Sequence, residues 1–157
     1  MRMIKSLSLS RLSRKPSRAA PGPNVMLIYL HGFNRSSASI KANQLRLRLA
    51  GLGLEKWFAA PDLSHWPHKG LATLEAIVNL YPIEDVTLSG SSLDGYYATG
   101  LVEKHGVKAV LVNPGPRPYE LLRPVLGAQR NLCSGEAYDF NLERILQFAG
   151  LHEARLA

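Results

Sequence analysis

One cysteine, Cys133, stands among 157 residues. That excludes an intrachain disulfide and argues against a cysteine-based zinc site. It fits a reducing compartment, and a cytoplasmic location is expected. No apolar run approaches the roughly 20 residues of a membrane-spanning helix, so no membrane partner is expected. The first 24 residues contain no acid, although they hold Arg2, Lys5, Arg11, Arg14, Lys15 and Arg18. No adequate apolar segment follows those charges, which excludes a secretory signal. The rest of the chain has thirteen basic and twelve acidic residues, so the net charge of +7 belongs almost wholly to the tail. A folded part this close to neutral argues against nucleic acid as a partner.

Residues 1–24 are rich in Ser and Arg, show no sustained periodicity, and end in Ala19-Ala20-Pro21-Gly22-Pro23. They read as a disordered basic extension. Organellar transit peptides have this composition. An extension from an upstream start, with Met26 as the initiator, accounts for it equally simply and is favoured. Residues 25–157 then form one domain.

Within that domain the stretch Val86-Thr87-Leu88-Ser89-Gly90-Ser91-Ser92-Leu93-Asp94-Gly95-Tyr96-Tyr97-Ala98-Thr99 carries the chemistry. A β-branched run passes through small residues into a helix with Tyr97, Ala98, Leu101 and Val102 on one face. Strand, tight turn and helix with Ser at the apex is the layout of a nucleophile elbow. The turn holds the Ser hydroxyl above the sheet edge, where free N–H groups and the helix dipole meet a developing oxyanion. Ser92 is the candidate nucleophile and the Leu93 N–H a candidate oxyanion donor. The G-x-S-x-G pattern is met at Gly90 and departs at Asp94, with Gly95 one residue late. An acid in the first helical turn gains about 0.3–1 kcal/mol from the dipole, yet brings negative charge towards an oxyanion. An ordinary strand–turn–helix connection is the competing reading.

The continuous apolar run Val25-Met26-Leu27-Ile28-Tyr29-Leu30 suits a central strand covered on both faces. His31-Gly32-Phe33-Asn34 follows it directly. A loop after such a strand supplies the second oxyanion donor in α/β-hydrolases, and the Phe33 N–H is the candidate. His31 reads as a loop-shaping residue rather than a base. Ser36 and Ser37 are candidate caps for a helix to about Leu49, with Ile40, Leu45 and Leu49 as its buried stripe. Residues 57–60 read as a short strand. His65 and His68 lie in a Pro-bounded loop with no carboxylate cluster, as pocket wall or plain surface, and no metal is expected. Leu71, Leu74, Ile77, Val78 and Tyr81 recur at helical spacing. Residues 107–112 are a fourth strand, closed by Asn113-Pro114-Gly115-Pro116. A short helix is expected over 119–126. Residues 136–148 read as a helix with Phe140, Ile145 and Phe148 on one stripe, followed by a polar tail over 151–157.

Strands alternating with helices predict an α/β fold, a parallel sheet with helices on both faces. The His31, Ser92 and Asn113 loops all fall at strand carboxyl ends, where such folds place their sites.

Several segments together resemble the small bacterial YqiA/YcfP-type esterases of the α/β-hydrolase superfamily. They are Tyr29 to Asn34 with Ser36-Ser37 and Lys41-Ala42; Gly90 to Leu93 with Gly95 to Thr99; Val112-Asn113-Pro114 with Arg117 to Leu122; and Ser134-Gly135-Glu136 with Tyr138. The resemblance implies hydrolysis of short acyl esters, small-molecule substrates, by a Ser-acid-His triad with no cofactor and with Ser92 as nucleophile. It covers roughly two-thirds of a family domain. The strand with the triad acid and the later His loop are not identifiable, so the domain is expected to be partial, truncated at its C-terminus. A substitute triad of Ser92, Asp139 or Glu143, and His152 is disfavoured, because acid and base would share one helix and tail. Turnover is therefore expected to be weak. A non-catalytic remnant or binding module is the alternative. A fourth strand left at the sheet edge is expected to invite self-association.

Overall fold

The computed structural model describes the backbone of residues 25–156 and the side chains of residues 25–151. The basic extension over residues 1–24 lies outside the described residues. Strand β1 (Met26–Leu30) leads to helix α1 (Ile40–Ala50) and strand β2 (Phe58–Ala59). Helix α2 (Pro67–Val78) returns the chain to β3 (Val86–Ser92), and α3 (Leu93–His105) leads to β4 (Lys108–Pro114). The sheet is parallel, in the order β2-β1-β3-β4. The chain winds outward from β1 to β2, then crosses back to lay β3 on the other side of β1. That reversal opens a crevice beyond the carboxyl ends of β1 and β3, the usual ligand position in such sheets. The His31 loop and Ser92 both lie at this crevice.

Strand β1 shows why its sequence lacks alternation. Met26, Ile28 and Leu30 enter the larger core cluster with Leu74, Ile77, Leu88 and Leu101. Leu27 and Tyr29 face the other way, into a smaller cluster with Ala42, Phe58, Leu45 and Leu49. Helices cover both faces, so every position is apolar. Helix α3 ends at Gly106, whose φ of 71° is left-handed and whose N–H bonds the Val102 carbonyl.

Helix α1 starts later than the Ser36-Ser37 expectation. Its cap is Ser39, whose Oγ accepts the Ala42 N–H at 3.3 Å. Ser36 Oγ instead accepts the Ala38 N–H, and the Ser37 N–H donates to Asp62 Oδ1. The later start turns Ile40 out to 72 % exposure and brings Ala42 into the core. The short helix expected over 119–126 is α4 (Pro118–Leu121) followed by a 3-10 turn over Arg123–Val125.

The helix expected over 136–148 is corrected more sharply. Strands β5 (Gly127–Arg130) and β6 (Ala137–Phe140) form an antiparallel hairpin, and α5 runs over Leu142–Leu156. Phe140, Ile145 and Phe148 are all buried, as the stripe required. Phe140 reaches the core from a strand, however, and the segment read as a polar tail continues the helix to Leu156.

Strand β4 lies at the sheet edge, with Val110, Leu111 and Val112 at 57, 40 and 51 % exposure. No helix among the described residues is long and apolar enough to cross a membrane.

Strand β3 and helix α3 press together at two glycines. A Cβ on Gly90 would lie 2.7 Å from the Asp94 carbonyl oxygen, and one on Gly95 would lie 2.7 Å from Pro114 Cβ. Gly90→Ala and Gly95→Ala should each cost about 1–3 kcal/mol, as overpacked core sites do. Gly150→Ala on α5, where a Cβ meets nothing within 4 Å, should gain about 0.5–1 kcal/mol. Thermal denaturation of the three variants checks this, and equal shifts for all three would contradict the crowding.

Candidate active site

No residue separates β3 from α3: Ser92 ends the strand and stands at the N-cap of the helix. Its φ of 57° and ψ of −124° lie outside the regions open to ordinary L-residues. Holding a serine there costs on the order of 1–3 kcal/mol, borne by the packing around it. The register between β3 and β4 slips at Ser91/Ser92, and the Gly115 N–H bonds the Ser92 carbonyl at 2.9 Å. Ser92 is exposed, while Asp94, Gly95, Tyr96, Tyr97 and Ala98 behind it are buried. Leu93 is the first helical residue, so its N–H has no acceptor within the helix. Across the crevice, a Cβ on Gly32 would lie 3.9 Å from Ser92 Cβ. The loop carrying Phe33 therefore comes directly against the elbow.

The missing glycine at position 94 has a geometric account. The contact that demands a small residue falls at Gly95, against Pro114, rather than at Asp94. The Asp94 side chain points away from that contact and is buried, 3 % exposed. Its Oδ2 has no hydrogen-bond partner and lies 3.8 Å from His31 Nδ1. Burial pushes the Asp94 carboxyl well above the usual carboxylate range. Burial also pushes His31 below its ordinary value. Both shifts favour uncharged forms, which weakens any ion pairing across this contact. His31 Nε2 accepts the Leu63 N–H at 3.3 Å, which puts the ring proton on Nδ1, 3.4 Å from the Gly32 carbonyl. A histidine engaged at both nitrogens ties the β1 loop to the β2–α2 loop, as a loop-shaping residue does.

A cavity of about 60 Å³ adjoins the elbow, with Phe33, Leu93, Asp94 and His65 in its walls. A volume near two waters' share suits a small substituent. His65 stacks on Tyr138 at 4.4 Å between centroids and 8° between planes. Burial, with Arg144 nearby, lowers its pKa. Arg144, only 4 % exposed, lays its guanidinium 4.0 Å from the Trp66 ring centroid. His68 is exposed in the first turn of α2. Among the described residues, no group of three His, Cys, Asp or Glu side chains is placed to hold a metal ion.

The substitute acids are not brought to this cavity. Asp139 lies on β6 and Glu143 in the first turn of α5; both are exposed and neither is a wall. His152 lies in α5, with its side chain outside the described residues.

The sequence of residues 26–157 matches the family model of the uncharacterised protein family UPF0227. The chain belongs to that family. This is the YqiA/YcfP-type family that the motifs around His31, Ser92 and Arg117 resemble. Sequence reasoning missed Gln129, and with it the whole hairpin that faces the His31 loop. The signal was present in the alternation of Ala128-Gln129-Arg130 and Ala137-Tyr138-Asp139-Phe140 about Asn131 and Gly135.

The raised Asp94 carboxyl makes stability depend on pH with a definite sign. Its unfolded value is about 3.9. Above that, the folded chain binds a proton that the unfolded chain releases, so this contribution falls as pH rises towards the folded value. The slope reaches about 1.36 kcal/mol per pH unit. Asp94→Asn should thus gain on the parent chain as pH rises above about 4 in urea denaturation. A constant difference would mean that Asp94 is ionised in the fold.

Proposed function

We propose that this site hydrolyses short acyl esters, with Ser92 as nucleophile and the Phe33 and Leu93 N–H groups as oxyanion donors, without a cofactor. The observation that carries the reading is the backbone of Ser92, a non-glycine residue at positive φ on a junction with no intervening loop. That conformation has a chemical use: it presents Oγ at a helix N-terminus, over the crevice.

Ser92 Oγ would attack the acyl carbon, and its proton would leave with a base or with water. The carbonyl oxygen would take the negative charge between the two N–H groups. Collapse of that intermediate releases the alcohol, which takes up a proton, and water then hydrolyses the acyl-serine. The cavity beside Phe33 and Leu93 suits a short acyl chain. A neutral Asp94 keeps negative charge away from the oxyanion.

The two histidines in the cavity wall are engaged otherwise, His31 with two loops and His65 in its stack on Tyr138. An unassisted serine is a poor nucleophile. Oxyanion donors and binding alone can leave roughly 10³–10⁴-fold acceleration over water, so slow turnover is expected. The exposed positions of Asp139 and Glu143 favour a second reading, a non-catalytic module that binds small molecules in the same cavity. The cytoplasmic location expected from cysteine use is part of the proposal.

A fluorophosphonate probe read by intact mass decides between the two. Covalent labelling that disappears in Ser92→Ala supports the hydrolase. Absence of labelling in a folded chain supports the binding module.

Self-association through β4 is a second proposal, with a second copy of the chain as partner. Exposed Val110, Leu111 and Val112, on a strand with no outer neighbour among the described residues, support it. Sedimentation should show concentration-dependent dimers that Val110→Lys and Val112→Lys weaken, and a monomer at every concentration would refute it.

A further inference from the structure

Asn34 has a backbone φ of 57°, a conformation that asparagine tolerates better than most residues but does not prefer. It directly follows Phe33, in a turn closed by the Arg35 N–H on the Gly32 carbonyl at 3.1 Å. Both ends of its carboxamide are held. Asn34 Nδ2 donates to Gln129 Oε1 at 2.9 Å, and Tyr138 OH donates to Asn34 Oδ1 at 2.5 Å. Gln129 and Tyr138 are cross-strand partners in the β5–β6 register, so their side chains leave the same face of the hairpin side by side. The backbone joins in: the Leu132 N–H bonds the Asn34 carbonyl at 2.8 Å, and Asn131 Nδ2 bonds the Arg35 carbonyl at 2.9 Å. The Phe33 ring meets Phe140 of β6 edge-on at 5.2 Å.

The clamp is itself braced. Gln129 Nε2 donates to the Val125 carbonyl at 2.7 Å, leaving Oε1 for Asn34. The Tyr138 ring is held by the His65 stack on one side, with the Arg144 guanidinium 5.4 Å from its centroid. Four polar contacts and one aromatic contact on so short a turn exceed what a surface loop needs to stay folded. They do suit a turn whose N–H must point in one direction.

We propose that Gln129 and Tyr138 are positioning residues, a hairpin clamp that holds Asn34 at positive φ and thereby aims the Phe33 N–H at the oxyanion position. This rests on the reading of Phe33 as an oxyanion donor. The carboxamide is gripped at both ends, so it cannot flip, and the turn it fixes keeps the Arg35 N–H on the Gly32 carbonyl, which shares its planar peptide unit with the Phe33 N–H. A donor misplaced by about 1 Å loses much of its effect, on the order of a hundredfold in rate.

The test uses Tyr138→Phe, which keeps the ring stack and removes only the hydroxyl, and Gln129→Ala as an independent variant. Two readouts are taken. The first is amide hydrogen exchange over residues 32–35. The second is the fluorophosphonate reaction, resolved into its binding constant and its maximal labelling rate. Both variants should raise exchange in that turn while leaving exchange in β1 and β3 unchanged. Both should lower the maximal labelling rate about ten- to a hundredfold, with the binding constant unchanged. A loss confined to binding, or exchange unchanged in the turn, would overturn the clamp. If the parent chain is not labelled at all, the hydrolase reading fails, and exchange alone still decides whether the clamp exists.

Discussion

The structure depends on one junction. Strand β3 passes into helix α3 without a connecting residue, and the reversal is taken up at Ser92. A chain that turns this sharply brings the backbones of strand and helix together, which explains Gly90 and Gly95. The same turn forces Pro114 against the helix, and with it the end of β4 and the bulge opposite Ser92. Loosening any of these contacts would let Ser92 relax to an ordinary conformation. The strain at one serine and the small residues around it are a single feature, paid for by the core that α3 buries with Tyr97, Ala98 and Leu101.

Much of the sheet was legible because burial on two faces leaves a strong pattern. Residues 25–30 have no polar interruption, and β1 is an interior strand. The passage from strand to helix at Ser92 was legible from its small residues and the helical stripe beyond it. Position 94 looked like a defect because the crowding was assigned to the second residue after Ser92, whereas helix geometry delivers it at the third. The hairpin was hidden for another reason. Phe140 with Ile145 and Phe148 satisfies a helical period, although Phe140 belongs to a strand. Three buried aromatic and aliphatic positions say where the core is, but a change of period between them is visible only in the turn residues Asn131 and Gly135. The starting point of α1 was missed because three serines within four residues are equally good caps, and only the sheet decides which face turns inward.

The candidate site combines groups that a charge count would misjudge. Asp94 is formally anionic and His31 formally basic, yet burial favours the neutral form of each. Burial therefore weakens the charge that the acid would bring to the turn at Ser92. Arg144 is a different case: its guanidinium is buried over the Trp66 ring. Its partner is a ring face rather than a carboxylate, so it contributes shape and attraction without fixing a hydrogen-bond geometry.

The arrangement of strands also orders events in time. Every pairing in the main sheet is parallel and joins distant segments, as when Met26 meets Val86. Such pairings wait on the closure of long loops. The β5–β6 hairpin is local, joining Gly127 to Phe140, and hairpins of this kind form within about 1–10 μs. During folding the hairpin can thus be complete before the turn that it grips has a strand to hang from. Asn34 and Tyr138 are 104 residues apart in the chain, so their bond is a late event between one early element and one late one. The turn at Asn34 is in this sense held by a contact that only the completed chain can make.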